Sequence, residues 1–329
     1  MPPRPDTRIT PETHVTTFSP LDEMTATRLA GLVIVTGVFM TIPHSGFSAE
    51  PAAAESIAAE GAMLEKLAEG FKFTEGPSVD GDGNVYFTDQ PNDRIHKWST
   101  DGTVSVFLEP AGRSNGLCFD EDGNLWACAD AKNELWKIKP DGSHEVVVDG
   151  YDGKLLNGPN DLWIHPAGGI YFTDPFYKRD YWTRGPSEQT KGVYYLSPDR
   201  KTLTRVADDL VQPNGIVGTP DGKTLYVADI NAKKTYAYDV EAAGSLSNKR
   251  LFCEQGSDGM TLDEAGRVYL TGKGVTVYDR DGDKVAQIDV PEPWTANVCF
   301  GGKNRSLLFL TAGKRIYGLD TRTSGAARQ

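Results

Sequence analysis

Residues Leu156 to Tyr177 read LNGPNDLWIHPAGGIYFTDPFY: two short apolar runs, Leu162-Trp163-Ile164 and Ile170-Tyr171-Phe172-Thr173, joined by a Pro166/Gly168-Gly169 turn. Aromatic and β-branched runs separated by a turn-forming cluster make a β-hairpin. A tight turn, Asn157-Gly158-Pro159, and the polar pair Asn160-Asp161 precede the first run. An amide side chain therefore stands at the head of a strand, and the same environment recurs five more times along the chain.

The other copies are EGPSVDGDGNVYFTD from Glu75, NGLCFDEDGNLWACAD from Asn115, NGIVGTPDGKTLYVAD from Asn214, DGMTLDEAGRVYLTG from Asp258 and NVCFGGKNRSLLFLT from Asn297. In the first five repeats of the chain a turn glycine falls eight positions after the leading residue: Gly83, Gly123, Gly168, Gly222 and Gly266. The starting points lie 39 to 54 residues apart, and each copy is followed by further β runs such as RIHKWSTDGTVSVFL and VTVYDRDGDKVAQIDV. Four strands per repeat of about 40 residues, without helices, is a propeller blade. The chain is thus expected to be all-β, a six-bladed β-propeller. The last repeat runs out after Arg315 to Leu319, one strand short, while a spare strand lies upstream at Met63 to Leu67. That N-terminal strand is expected to complete the last blade and remove an open edge.

Working outward, residues 1–54 read as an N-terminal extension and signal peptide, and 55–329 as the propeller domain. Arg28 precedes an apolar run from Leu29 to Ile42, and small residues follow at Ser48-Ala49 and Ala52 to Ala54. A basic flank, a short apolar core and a small-residue exit describe a secretory leader, too short for a comfortable membrane span. Met1 and Met24 both remain as starts. The expected protein is exported, periplasmic or secreted, with no stable membrane partner after cleavage. Of the 329 residues 39% are hydrophobic, enough for a large core, and the net charge of −12 argues against a nucleic-acid partner. The four cysteines, Cys118, Cys128, Cys253 and Cys299, show no metal-type spacing and read as small apolar strand residues.

In a propeller the innermost strand of each blade lines the central channel, with its first residue near one mouth. That column reads Glu75, Asn115, Asn160, Asn214, Asp258 and Asn297, six oxygen-bearing side chains with no lysine or arginine. Carboxylates and amides converging on an axis would repel one another if left alone. A hard divalent cation resolves this, and all-oxygen ligation favours Ca²⁺ or Mg²⁺ over zinc, with Mn²⁺ also admissible. The competing explanation, that these residues satisfy local backbone groups, accounts for single copies but not for a glutamate in the column. The Asp80-Gly81-Asp82-Gly83-Asn84 stretch lacks the later ligands of a calcium loop and reads as a hairpin turn. His96, His144 and His165 lie outside the column, and no nucleophile elbow, phosphate loop or dinucleotide fingerprint occurs.

Together, TEGP (Thr74–Pro77), PND (Pro159–Asp161), YFTDPFY (Tyr171–Tyr177), PNG (Pro213–Gly215), SDGM (Ser257–Met260) and NVCFGG (Asn297–Gly302) resemble the SMP-30/gluconolactonase/LRE family over about residues 63–320. The resemblance implies a channel-bound divalent ion, most simply Ca²⁺, and hydrolysis of a small-molecule lactone. By motif it makes Glu75, Asn214 and Asp258 metal ligands, places Asn160 on metal or substrate, and gives Asp258 a part in proton transfer. Asn115, Asn160 and Asn297 are left to orient substrate. The metal would act as Lewis acid on the carbonyl, with Asp258 relaying a proton to the leaving alkoxide. A carboxylate on a cation has a lowered pKa, which weakens it as a base.

Two departures bear on the substrate. Sugar-lactone relatives of the animal type carry an arginine where this chain has Gly158. The third repeat also holds an insertion, Pro175 to Thr190, containing Phe176, Tyr177, Tyr181 and Trp182, which reads either as a lid at the channel mouth or as packed surface aromatics. A phosphotriesterase-like hydrolase and a non-catalytic calcium-binding propeller are the alternatives on the same scaffold.

Overall fold

The computed structural model describes residues 57–326; the leader expected at 1–54 and its exit lie outside them. Five repeats each form a four-stranded antiparallel sheet whose strands pair in chain order, and the sixth supplies three strands of a like sheet. In the first, these are Thr74–Val79, Val85–Asp89, Arg94–Trp98 and Val104–Leu108. The innermost strands of the other five are Ser114–Phe119, Leu162–Ile164, Pro213–Gly218, Met260–Leu262 and Asn297–Gly301. Each innermost strand touches the next and the last touches the first, which closes six blades around a common axis.

Closure is non-local. Glu65–Glu69 pairs antiparallel with Arg315–Asp320 as the outer strand of the sixth blade. This strand sits two residues further on than the Met63 to Leu67 expected. The reason is packing: Leu67 and Ala68 reach the cluster around Phe87 and Phe309, whereas Met63 stays 77% exposed. At the seam the Thr74 amide donates to the Gly313 carbonyl (2.8 Å) and the Thr74 hydroxyl to the Arg315 carbonyl (2.9 Å).

The hairpin turns follow from local chemistry. Asp80 Oδ1 accepts the amides of Asp82 and Asn84, both at 2.9 Å, and Gly83 takes a φ of 89°, which only glycine adopts freely. With its oxygens committed to the turn, Asp80 belongs to a hairpin. Second strands such as Ile170–Asp174 are buried along their whole length because each blade has a neighbour on both faces. Tyr171 packs with Trp163, Ile216 and Leu225 on one side, and Phe172 with Trp126, Leu135 and Tyr194 on the other. Each such side chain contributes about 1.5–3 kcal/mol of burial. Cys128, Cys253 and Cys299 are buried, and no disulfide joins any of the four cysteines. His96 stacks on Phe87, His144 on Trp136, and His165 Nε2 lies 3.1 Å from the Gly222 carbonyl, so all three are part of the framework.

Candidate active site

The leading residues are brought together by how the innermost strands crowd the axis. Three of these strands carry a one-residue bulge just after the leading residue, between Glu75 and Ser78, Ser114 and Leu117, and Pro213 and Ile216. The bulge turns the leading side chain toward the mouth, while glycine beside it admits the next blade. A Cβ at Gly76 would stand 2.0 Å from the Asn115 carbonyl oxygen, one at Gly116 2.5 Å from Asp161 Oδ1, and one at Gly259 2.0 Å from the Asn297 amide. Threonines on the second strands tie the ring together: Thr88 donates to the Asn115 carbonyl (3.1 Å) and Thr173 to that of Asn214 (2.8 Å).

Glu75, Asn115, Asn160 and Asp258 line one cavity of about 270 Å³ at the channel mouth, walled by Tyr177, Arg179 and Trp294. Asn214 braces the floor. Its Nδ2 donates to Asp258 Oδ1 and to the Tyr177 hydroxyl, both at 2.8 Å, which turns its Oδ1 away; that oxygen is buried and meets no donor. Trp294 Nε1 donates to the other Asp258 oxygen at 2.6 Å, so both carboxylate oxygens are fixed in direction.

The electrostatics are those of acids crowded in a dry place. Burial, then the Asp258 charge, pushes the Glu75 carboxyl well above the usual range, with Asp161 adding to it; the Gly76 amide at 2.9 Å works against this. Burial pushes Asp258 up to about 6 despite the Trp294 and Asn214 hydrogen bonds, and Asp161 up to about 7. Two mutually repelling carboxylates beside amide side chains fit a hard cation, which would relieve the repulsion; the Asn214 amide would turn its buried, unmatched Oδ1 to join them. Among the described residues no three His, Cys, Asp or Glu side chains converge as a metal site. A cation here would therefore rely on the amide oxygens of Asn160 and Asn214 as well as Glu75 and Asp258.

A model of the SMP-30/gluconolactonase/LRE-like region matches residues 73–314. The chain belongs to this family. It is 30% identical over 294 residues to a gluconolactonase of Zymomonas mobilis, spanning 80% of this chain and 82% of that protein. With the pentonolactonase XacC of Haloferax volcanii it shares 27% identity over 254 residues, 72% of this chain and 80% of the relative. A solved gluconolactonase of Xanthomonas campestris matches with a TM-score of 0.77 at 30% identity, over 82% of this chain and 93% of that one.

Against the family pattern, the structure sorts the six leading residues into two groups. Five converge at the mouth. Asn297 instead faces a second cavity of about 180 Å³ further along the channel, shared with Asp161. Its Oδ1 accepts the Val298 amide (2.8 Å), and its Nδ2 reaches Asp161 Oδ2 (3.5 Å) and also serves the Glu75 carboxylate, so it bridges the two acids.

Sequence reasoning passed over Asp161, Trp294 and Arg179. The Asp161 signal was present: the position after each leading residue reads Gly76, Gly116, Asp161, Gly215, Gly259 and Val298, with one ionisable group among them. Trp294 comes from the loop before the last innermost strand and left no periodic trace. The insertion combines both of its expected roles, since Tyr177 and Arg179 wall the cavity while Trp182 Nε1 donates to the Asp130 carbonyl (2.7 Å) on the neighbouring blade.

Proposed function

We propose that the protein is a divalent-metal-dependent lactone hydrolase of the gluconolactonase type. The observation that carries this reading is the mouth cavity: the Glu75 and Asp258 carboxylates beside the Asn115 and Asn160 amides, in a pocket of about 270 Å³ that suits a small ring. Glu75, Asn160, Asn214 and Asp258 would hold the ion, and their all-oxygen chemistry favours Ca²⁺. When bound, such an ion polarises a carbonyl and offsets charge that develops on its oxygen. Gluconolactonase and pentonolactonase activities of the relatives named above support a sugar lactone as substrate.

The chain's own groups account for the remaining steps. Asn115 and Asn160 present amides to the ring substituents from adjacent blades. Water adds to the acyl carbon, the ring C–O bond breaks, and the departing alkoxide needs the proton that water gives up. Asp258, held by Trp294 on one oxygen and Asn214 on the other, is the group placed to carry that proton, and its burial-raised basicity suits it to the task. Contact with a cation would lower that basicity again, so Asp258 works between two opposing influences.

Turnover of a lactone panel and of an organophosphate ester, before and after EDTA and on adding back Ca²⁺, Mg²⁺, Mn²⁺ or Zn²⁺, tests the reading. Lactone hydrolysis that EDTA abolishes and one added ion restores is the expected result. Preference for the organophosphate, or metal binding without any hydrolysis, would overturn it. Export of the mature chain is proposed on the Arg28 and Leu29 to Ile42 pattern. Mass spectrometry of the native protein should find a start between Ala49 and Ser56, and an intact Leu29 to Ile42 segment would refute cleavage.

A further inference from the structure

We propose that Arg179 is the specificity-determining residue of the site, reading the hydroxyl groups of a neutral polyhydroxylated lactone; this rests on the lactone-hydrolase reading. Among the described residues Arg179 is the one cationic side chain lining the mouth cavity, which it shares with Glu75, Asn115, Asn160 and Asp258. It stands on the insertion, not on a blade strand, and the insertion is anchored to hold it. Asp130, just past the second strand of the preceding blade, accepts Arg179 Nε at 2.9 Å and the Tyr181 hydroxyl at 2.5 Å through the same Oδ2, with Gln90 Nε2 at 3.4 Å. Trp182 binds the Asp130 backbone and Arg184 donates to Asn133 Oδ1 at 2.7 Å.

The geometry leaves the useful end of the guanidinium for a ligand. Its Nε–H is committed to Asp130, and among the described residues its terminal amino groups meet no protein acceptor, while the side chain keeps 25% of its surface exposed. The Tyr177 ring lies 5.5 Å from the guanidinium carbon and limits how far it can swing. A fixed planar fork with free N–H groups suits paired oxygen acceptors, such as neighbouring hydroxyls on a ring. Because the buried Asp130 carboxylate balances the charge, the wall offers directional donors with little net field, which favours a neutral polyol over an anion.

The same donor could not come from the loop beneath. Gly158 has a φ of 135°, and a Cβ there would stand 2.6 Å from Asp130 Oδ1 and 3.0 Å from the Trp182 ring. The anchor of the insertion therefore fills the space a side chain at Gly158 would use. The insertion both excludes a group from that position and supplies its own.

The test compares δ-gluconolactone with unsubstituted δ-valerolactone in wild type, Arg179→Met and Arg179→Lys, at saturating Ca²⁺, with calcium-induced thermal shift as a folding and metal control. For Arg179→Met, kcat/KM on δ-gluconolactone should fall roughly 10- to 100-fold, mainly through KM, as expected for losing hydrogen bonds from a charged donor. On δ-valerolactone the loss should stay within about threefold by the same reasoning, since that ring offers no hydroxyl to bind. Arg179→Lys, which keeps the charge without the fork, should fall between. Equal losses on both substrates with the thermal shift preserved would overturn the proposal, as would an unchanged kcat/KM on δ-gluconolactone. Wild-type inactivity on both lactones would overturn the parent reading and this one with it.

Discussion

Two sets of buried acids sit in this propeller, and they differ in what meets them. Asp89, Asp174 and Asp229 end the second strands of three blades, and each accepts backbone amides from the segment leading into its own blade. Asp89 takes those of Lys72 and Phe73, Asp174 those of Asn157 and Gly158 at 2.8 Å, and Asp229 those of Val211 at 2.7 Å and Gln212 at 2.9 Å. Glu75 has one backbone donor, the amide of the next residue, and faces Asp258 and Asp161 across the channel. Burial lifts Asp174 to about 7 even though two backbone amides answer it. In the first set the fold has answered the carboxylate itself. In the second it has left that to a ligand, which is how a binding site differs from a structural clamp with the same chemistry.

The sharpest way to break this contrast is Glu75→Gln. It keeps the shape and removes half of the mouth's carboxylate charge, so kcat/KM on a lactone should fall more than about 100-fold, as for loss of a group that acts on developing charge. The calcium-induced thermal shift should collapse with it. The metal-free variant should nevertheless melt no lower than wild type at pH 8, because a repulsion has been relieved. Wild-type metal dependence in this variant would sink the ligand assignment.

Asp229→Ala should do the reverse. Three backbone amides, the buried one of Gln212 and the partly buried ones of Val211 and Ala232, lose their acceptor. Chemical denaturation should show a loss of about 2–4 kcal/mol, in keeping with unsatisfied donors once bonded to a charged group. The increment in melting temperature produced by saturating Ca²⁺ should survive. If that increment vanishes, the two sets of acids are not separate in function.

A finer cut is Asn115→Ala, within the mouth itself. It removes an amide from the cavity wall but no charge, so kcat/KM should fall roughly 10-fold, about one hydrogen bond's worth, with the metal titration unchanged. Loss of calcium binding in this variant would move Asn115 into the ligand set.

The smallest expected effect is a pH dependence. In the unfolded chain these carboxyls release protons near about pH 4. The folded, metal-free protein holds them up to about 6 at Asp258 and about 7 at Asp161. The folded state thus binds more protons in this window, and metal-free stability should decline as pH rises from 5 to 8. Calcium competes with protons at Glu75 and Asp258, so its stabilising increment should grow over the same range. Melting curves with and without Ca²⁺ at several pH values check this; an increment that shrinks with pH would contradict the placement of the ion on those two acids.

Six blades, their hairpins and the column from Glu75 to Asn297 were legible in the chain because each depends on residues close in sequence. A glycine such as Gly83 takes its positive φ wherever the turn goes, and strand patterning repeats with the blade. The closing strand was legible as a missing piece, although its register waited for Leu67 and Ala68 to find their core. By itself, then, the sequence determined the fold, the number of blades and the column of leading residues.

Tertiary structure alone decided how those side chains are shared out. Glu75 stands at a single-residue bulge in the mouth, while Asn297, on an unbulged strand, spans Glu75 and Asp161. Asp130 meets Arg179 and Tyr181 across 49 and 51 residues of chain, and Trp294 reaches Asp258 across 36. No periodic pattern encodes such meetings, because they depend on distances between blades that exist only once the ring has closed.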